Sequence, residues 1–429
     1  MMLPTLLVVA AMGPMLISTG SIRTEHVVIY ALFPFAMMVI ALRGSGAVRA
    51  WELLAIVAVF GLVLFWSSVV TFTGVQRYPS ILTAIAGAEG ELQPIAIVAV
   101  LAAFTRPRSA DDAAELLRKV LLTIVIVLVA NSILILASFV VDTAPILQLF
   151  IPSDASGFSV GRNSLLRGRL FGVFNQPGES GGAYTIGLFA WLYLIKTKSI
   201  ARWFADLSLV MLVLGGFFSV SKLFLLVGLP LAFLSWWMAG GSLRQQWRVL
   251  LLMAVAIVLG VSKLQDWAGW DLVSRLIFPQ QDAGFLSVYT AGRFGSSDAT
   301  YEEVFRIVWR LAPFAGMGFG GLSGIVPYDS EYTEFYATGG VLGIAGLLLI
   351  VVLLGWAGVR AFQFARSREA GRLLITLAMF AGVGAIGSPV LTANRSSILL
   401  WTAVTMTLVY VRLARREAAT VDSDGNNAD

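Results

Sequence analysis

Residues Gly292 to Gly343 read GRFGSSDATYEEVFRIVWRLAPFAGMGFGGLSGIVPYDSEYTEFYATGGVLG, and they concentrate charge and glycine in an otherwise apolar chain. The arginines and acids of this polar segment include Arg293, Glu302, Glu303, Arg306, Arg310, Asp329, Glu331 and Glu334. Ionised side chains and irregular backbone are very unfavourable in lipid. The segment must therefore lie in water or in a polar cavity at a membrane surface.

The composition of the whole chain is that of a membrane protein. Of 429 residues, 58% are hydrophobic and only 13% are charged, with a mean hydropathy of +0.84. Soluble domains are about 45–50% apolar and about 25% charged. The absence of cysteine excludes disulfides and thiolate chemistry, and the single histidine, His26, excludes a His-rich zinc site. We therefore expect an all-α polytopic membrane protein.

Apolar runs long enough to cross about 30 Å of hydrocarbon predict twelve spans. They cover 3–19, 27–42, 53–73, 92–104, 120–141, 183–195, 203–221, 223–239, 249–264, 337–359, 373–388 and 396–411. The chain then divides into spans 1–5 (1–141), a first long loop (142–182), spans 6–9 (183–264), a second long loop (265–336), spans 10–12 (337–411) and a disordered tail (412–429).

Basic residues are distributed unevenly between the two sides that these spans define. If the N-terminus is cytoplasmic, the inside segments carry eighteen of them, which are Arg43, Arg49, Arg106, Arg108, Arg118, Lys119, Lys196, Lys198, Arg202, Arg244, Arg248, Arg360, Arg366, Arg368, Arg372, Arg412, Arg415 and Arg416. The short outside loops carry four, which are Arg23, Arg77, Lys222 and Arg395. Because Lys and Arg accumulate in cytoplasmic loops, we expect both termini in the cytoplasm and both long loops outside.

The first long loop contains Arg162, Arg167 and Arg169, followed by a turn at Asn175-Gln176-Pro177. The planar fork of arginine binds two phosphate oxygens at once. These arginines therefore predict a phosphate-binding wall, and the alternative is that they contact anionic lipid headgroups.

The second long loop contains a predicted helix. Thr300-x-x-Glu303 has the spacing of a capping box, and Pro313 ends or kinks the helix. Glu302, Arg306 and Arg310 share one face. The alternative to a binding role is an amphipathic helix in the membrane interface with an internal ion pair.

Asp329 and Glu331 come just before the tenth span. One interpretation is that Asp329 is a helix N-cap, favoured by the helix dipole. The other is that one of the two carboxylates does chemistry at the membrane surface.

Three pieces of the chain together resemble the superfamily of bacterial lipid-linked polysaccharide polymerases and O-antigen ligases. Arg169-Leu-Phe-Gly-Val-Phe-Asn-Gln-Pro resembles the end of that family's first long loop. Gly292-Arg293, a helix, Pro313 and then Gly316-x-Gly318-x-Gly320 resemble the second. Asp329-Ser330, nine residues, Gly340 and Gly343 resemble the ligases' pattern that begins with His.

The sequence departs from the ligases at Asp329, where they carry His, and this favours a polymerase over a ligase. The distance from Arg293 to Pro313 is also long for the family, so Arg306 competes with Arg293 for the role of the second-loop arginine.

The resemblance implies a GT-C-like fold and a metal-independent, inverting glycosyltransferase without cofactors, in the bacterial inner membrane with its site facing the periplasm. Donor and acceptor would be oligosaccharides on undecaprenyl pyrophosphate. A flippase, a chain-length regulator and membrane lipids would be partners, and nucleic acid would not. The implied catalytic residues are Asp329 as general base, with Glu331 second, and Arg169 and Arg293. The implied substrate-binding residues are Arg162, Arg167, Asn175, Arg306, Arg310, Glu331 and Tyr332.

A glycan flippase or transporter is the rival from another class. Common twelve-span transporters place their largest loop in the cytoplasm between two six-span halves. Here only about seven residues join spans six and seven, which disfavours that class.

Overall fold

The computed structural model describes residues 2–17, 22–43, 50–73, 81–152, 160–238, 240, 270–277, 285–290, 293–294, 300–322 and 330–425. Its helices are α1 (Leu3–Ala10), α2 (Thr24–Arg43), α3 (Trp51–Thr73), α4 (Ile81–Phe104), α5 (Ala110–Ala137), α6 (Ala144–Leu147), α7 (Val160–Leu166), α8 (Pro177–Lys196), α9 (Arg202–Phe218), α10 (Leu229–Met238), α11 (Trp270–Ile277), α12 (Phe285–Thr290), α13 (Thr300–Leu311), α14 (Glu331–Phe362), α15 (Arg368–Gly384) and α16 (Asn394–Gly425). Two 3₁₀ turns cover Gln148–Phe150 and Ala365–Ser367, and a π-helix over Leu223–Gly228 runs directly into α10.

Strands are confined, in the described ranges, to one antiparallel hairpin of β1 (Met15–Ile17) and β2 (Ile22–Arg23). Within the part of the chain that the structure describes, six helices are long and apolar enough to cross a membrane, and they cover Thr24–Leu42, Trp51–Thr73, Gly87–Phe104, Ala110–Ala137, Glu331–Phe362 and Asn394–Thr420. The chain is therefore an all-α membrane protein, as the composition predicts. The GT-C-like architecture remains a prediction, and of the twelve predicted spans the first is wrong and the ninth is untested.

The long helices alternate in direction, so the bundle has two ends. At the first, called the basic end, Arg366 contacts Asp111 and Glu417 at 2.7 Å each, and Arg415 lies 3.5 Å from Glu52. This end contains the C-termini of α2, α4, α8, α10, α14 and α16 and the N-termini of α3, α5, α9 and α15. At the opposite end, called the loop end, the remaining termini meet the short helices of the two long loops.

The helices α8 and α16 form the centre of the bundle. Nearly every residue of α8 is buried, and 89% of the spanning part of α16 is buried. Glycines permit this close packing, because a Cβ on Gly181 would lie only 1.9 Å from Ser221 Oγ and a Cβ on Gly187 only 2.5 Å from Leu128. The N-termini of α8 and α16 consequently lie at the middle of the loop end.

The first predicted span, 3–19, is wrong. Helix α1 has eight residues and rises about 12 Å, less than half of the hydrocarbon thickness. Gly13 and Pro14 prevent α1 from continuing through the apolar run, since proline cannot continue a helix and restricts the residue before it. The count of charges is unaffected, because the eighteen inside residues begin at Arg43, the last residue of α2. The predicted cytoplasmic N-terminus, however, depends on this first span, since without it the N-terminus lies on the side of the long loops. The predicted ninth span, 249–264, lies outside the described residues.

Several predicted boundaries are also shifted. Helices α4, α8 and α14 begin at Ile81, Pro177 and Glu331, where 92, 183 and 337 were predicted. Polar residues in the first turns of α8 and α14, and Glu89 and Glu91 in the first half of α4, lower the local hydropathy, so hydropathy does not detect these starts.

The tail predicted to be disordered from residue 412 continues α16 to Gly425. Glu417 fixes its first turns, because its carboxylate accepts hydrogen bonds from the Ala110 amide and from Arg366 at 2.7 Å each.

Candidate functional site

A strained hairpin between α9 and α10 carries Lys222. Val220 adopts a positive φ of 49°, which is uncommon for a β-branched residue. The π-helix that follows Lys222 is also rare, and such segments are frequent at functional sites. Lys222 Nζ donates a hydrogen bond to the carbonyl oxygen of Val288 at 2.6 Å. The hairpin is thereby joined to α12 of the second long loop.

The segment after α7 places Arg169 beside this hairpin. The amide of Leu170 donates to the carbonyl of Phe218, the last residue of α9, at 2.9 Å. Gly172 has a φ of 63°, and a Cβ there would lie 1.9 Å from Asn131 Oδ1, so only glycine fits. Asn131 Oδ1 in turn accepts the Val173 amide at 2.9 Å. These bonds hold the end of the first long loop against α5 and α9.

Arg293 belongs to the same region through the second long loop. Its carbonyl accepts the Tyr301 amide at 3.1 Å, and its guanidinium lies beside the Tyr301 hydroxyl. Burial raises the pKa of Tyr301, and the charge of Arg293 opposes that rise. Tyr289 fixes α12 against the bundle, because its hydroxyl donates to the carbonyl of Gly384 at 3.0 Å.

Arg169, Lys222 and Arg293, called the cation cluster below, are close enough to repel one another. Burial first, and then the charges of Arg167 and Arg293, lower the pKa of Arg169. Burial and the charges of Arg169 and Arg293 lower the pKa of Lys222 to about 8. No described carboxylate forms an ion pair with Arg169 or Lys222, and Arg169 Nε is buried without a hydrogen-bond partner among the described residues. Such a cluster has the electrostatics of an anion site.

The glycine-rich part of the polar segment packs against a kink in α14. Amides of Met317 and Gly318 donate to the carbonyls of Ala337 and Thr338 at 2.7 and 3.0 Å. Gly340 interrupts α14 with a φ of 63°, and a Cβ on it would lie 2.6 Å from the amide nitrogen of Gly316. Two of the three pieces that carry the family resemblance therefore meet in one contact.

Glu331 holds α14 to the connection between α15 and α16, and Tyr332 holds it to the end of α15. The fully buried Glu331 carboxylate accepts the amides of Val390 and Leu391 at 3.0 and 2.9 Å and the Thr392 hydroxyl at 3.0 Å. The Tyr332 hydroxyl donates to the carbonyl of Gly382 at 3.1 Å. Because both oxygens of Glu331 already accept hydrogen bonds, this geometry favours an anchoring role over a role as base.

Asp329 lies outside the described residues, but its neighbour Ser330 is described. Ser330 is the N-cap of α14, and its hydroxyl also donates to the carbonyl of Ala385 at 3.0 Å. Since Ser330 supplies the cap, α14 does not require Asp329 for that purpose.

The other predicted substrate-binding residues differ in their relation to the cation cluster. Arg167 is exposed but lies close enough to Arg169 for its charge to act on it. Arg162 and Arg310 are exposed, and Arg306 is exposed and paired with Glu303 at 2.6 Å. Asn175 is buried; with its amide oxygen directed at Arg23, its nitrogen donates to the carbonyl of Phe150 at 3.0 Å. Of the two candidates in the second loop, Arg293 and not Arg306 is near Arg169.

A buried ionic network, which the sequence did not predict, lies at the same end. Arg395 Nε is 3.2 Å from Glu25, and Arg23 is 3.7 Å from Glu25 and 3.8 Å from Glu179. Glu179 also accepts the amides of Asn175 and Arg395 at 2.8 Å each. The network joins the N-termini of α2, α8 and α16. Removing one member would leave an uncompensated buried charge.

The sequence feature that could have indicated these contacts is the presence of basic residues in the short outside loops. Arg23, Lys222 and Arg395 break the positive-inside distribution, and the structure gives each of them a specific partner. In this chain, a basic residue in a loop that the positive-inside rule disfavours therefore indicates a specific structural contact.

Comparison with known proteins gives no identification. The chain matches no family model and no curated protein. Function must therefore be argued from the cation cluster and the residues around it.

Proposed function

We propose that this chain is a glycosyltransferase of the bacterial inner membrane. It would polymerise oligosaccharide units carried on undecaprenyl pyrophosphate at the periplasmic face. The observation that carries the proposal is the cation cluster, in which two long loops and the α9–α10 hairpin contribute one cation each. A site for a small anion needs fewer than three cations, whereas a pyrophosphate leaving group carries two or three negative charges.

The cluster is suited to stabilise charge that grows during the reaction. The acceptor hydroxyl oxygen attacks the anomeric carbon of the donor sugar, and the bond from that carbon to the pyrophosphate oxygen breaks. The bonding electrons stay on the pyrophosphate, whose added negative charge the three cations stabilise. Inversion at the anomeric carbon follows from a single displacement.

Asp329 is the residue proposed to accept the proton of the acceptor hydroxyl. It directly precedes Ser330, which is fixed to α15 at the loop end. Glu331 is less suited, because its carboxylate holds the segment from Val390 to Thr392. An ionised carboxylate can accept the proton of a hydroxyl and so act as general base.

Exposed apolar side chains on and just after α13, the helix whose Tyr301 lies beside Arg293, fit a lipid-borne substrate. Helix α13 buries Tyr301, Val304 and Val308, while Trp309 is 68% exposed. Phe314, which follows the helix, is 72% exposed. These side chains are placed to contact lipid at the membrane surface, where the polyprenyl chain of a donor would lie.

The products that accumulate without the protein test the reaction. In a host whose own copy of this gene is deleted, we expect single repeat units on undecaprenyl pyrophosphate and no polymer. Expression of the wild-type chain should restore polymer, and the Arg169→Gln variant should not, while Arg310→Gln should. Long lipid-linked chains in the deletion host would instead indicate a ligase. Unchanged glycans would contradict both.

A further inference from the structure

The basic end contains a cavity that the proposed reaction does not use. It has a volume of about 180 Å³ and lies between the start of α3, the last turns of α14 and residues 408–415 of α16. Its polar lining consists of Glu52, Arg360, Arg412 and Arg415, and Trp51 forms part of its wall. Three arginines and one acid leave the lining positively charged.

Two nitrogen atoms of the Arg415 guanidinium have no hydrogen-bond acceptor among the described residues. Its Nη1 is 3.5 Å from Glu52, and its guanidinium lies 5.4 Å from the ring centre of Phe364. Its Nε and Nη2 are buried and have no hydrogen-bond partner among the described residues. Leaving such donors unsatisfied is unfavourable, so the cavity lacks an acceptor.

Two tryptophans place the cavity at the level of lipid headgroups. Trp51 and Trp356 pack edge to face with ring centres 4.7 Å apart, and the guanidinium of Arg360 lies 4.5 Å from the Trp356 ring centre. Tryptophan is enriched at the boundary between hydrocarbon and water. Leu54 on α3 and Val352 on α14 lie one turn further from the basic end than this pair, and both are exposed, so they form an apolar surface directed along the bundle.

We infer that this cavity binds the phosphate of an anionic phospholipid, whose acyl chains lie along the apolar surface of α3 and α14. The phosphodiester oxygens would accept hydrogen bonds from Arg415 Nε and Nη2 and contact Arg360. The shared chemistry is a phosphate oxygen, which a free phosphate ion also offers. The adjoining apolar surface is the feature that favours a lipid.

Thermal unfolding of the purified chain in detergent, titrated with added ligand, tests this site. Phosphatidylglycerol should raise the unfolding midpoint of the wild-type chain more than phosphatidylcholine does. In Arg360→Gln the apparent dissociation constant for phosphatidylglycerol should rise about tenfold or more, as for loss of a charged hydrogen bond. Arg416→Gln is the matched control, because Arg416 is exposed and does not line the cavity.

A second variant should change binding in the opposite direction. Glu52→Gln removes the carboxylate that competes with phosphate for Arg415, so phosphatidylglycerol should bind more tightly than in the wild-type chain. Equal shifts for all variants, or equal shifts with both lipids, would overturn the inference of a specific site. An equal shift with inorganic phosphate alone would overturn the assignment to a lipid.

Discussion

Lys222 Nζ lies 2.6 Å from the carbonyl oxygen of Val288, and this hydrogen bond joins the α9–α10 hairpin to the second long loop. The ammonium group is half-buried beside Arg169 and Arg293. It donates one hydrogen bond to the described residues, and two further N–H donors remain. Lys222 is therefore positioned both to brace the loop and to contact an anion in the cation cluster.

The low pKa of Lys222 predicts a pH dependence. Burial and two neighbouring arginines lower it to about 8, so Lys222 is charged below that pH and loses its charge as the pH rises through it. We expect the KM for the lipid-linked donor to rise between about pH 7.5 and pH 9. Lys222→Arg keeps its charge throughout, so its KM should stay level. The same rise in both proteins would exclude Lys222 as its source.

The two arginines of the second long loop should differ in importance. Arg293 lies in the cation cluster, whereas Arg306 is exposed and paired with Glu303. Arg293→Gln should lower the rate of polymer formation by about 10²–10³, the usual effect of removing one charge-stabilising donor. Arg306→Gln should stay within a few-fold of wild type. Rates of polymer formation, measured with membranes that contain equal amounts of each variant, test this difference. A larger loss for Arg306→Gln than for Arg293→Gln would instead place the site on α13.

The contact between Gly316 and Gly340 predicts a stability effect. Gly340→Ala should destabilise the fold by more than about 1–3 kcal/mol, the usual strain of such a backbone conformation, because its Cβ would also overlap the Gly316 backbone. Gly61→Ala in α3 is the control, since a Cβ there meets nothing within 4 Å. It should be neutral or stabilising by up to about 1 kcal/mol. Unfolding midpoints in detergent measure both, and equal midpoints would contradict the packing described.

Substitutions at Glu331 and Asp329 should have different effects, the first on stability and the second on catalysis. Glu331→Gln presents an amide N–H to backbone donors of Val390 or Leu391, so it should cost about 1–3 kcal/mol of stability. Asp329→Asn should leave the unfolding midpoint unchanged, because Ser330 caps α14, and should lower elongation by about 10²–10⁴. If Asp329→Asn elongates normally while folded Glu331→Gln does not, the assignment of the base is wrong.

Hydropathy was sufficient to predict most of the helices, and its errors have local physical causes. Ten of the twelve predicted spans coincide with described helices. Hydropathy missed the start of α8 at Pro177, because the first turns contain polar residues such as Glu179. These residues are nevertheless buried, since Glu179 accepts hydrogen bonds from the amides of Asn175 and Arg395 rather than from water. The first span failed at Pro14, whose effect on a helix outweighs the apolar residues around it.

The site was predictable only in part, because it depends on contacts between distant residues. Arg169 and Arg293 stand out in sequence as arginines in long outside loops. Lys222 does not, since its importance comes from Val288, which is 66 residues away. Likewise, no spacing rule relates Glu25 to Arg395, which are 370 residues apart and yet form one buried pair.

Binding of undecaprenyl pyrophosphate to the purified chain tests the central claim most directly. Undecaprenol, which lacks the phosphates, is the reference ligand. The wild-type chain and Arg310→Gln should bind the pyrophosphate lipid equally and more tightly than undecaprenol. The double variant Arg169→Gln/Lys222→Gln should bind it about 10²-fold more weakly, as expected for two charged hydrogen bonds. Wild-type affinity in the folded double variant would show that the cation cluster is not the pyrophosphate site.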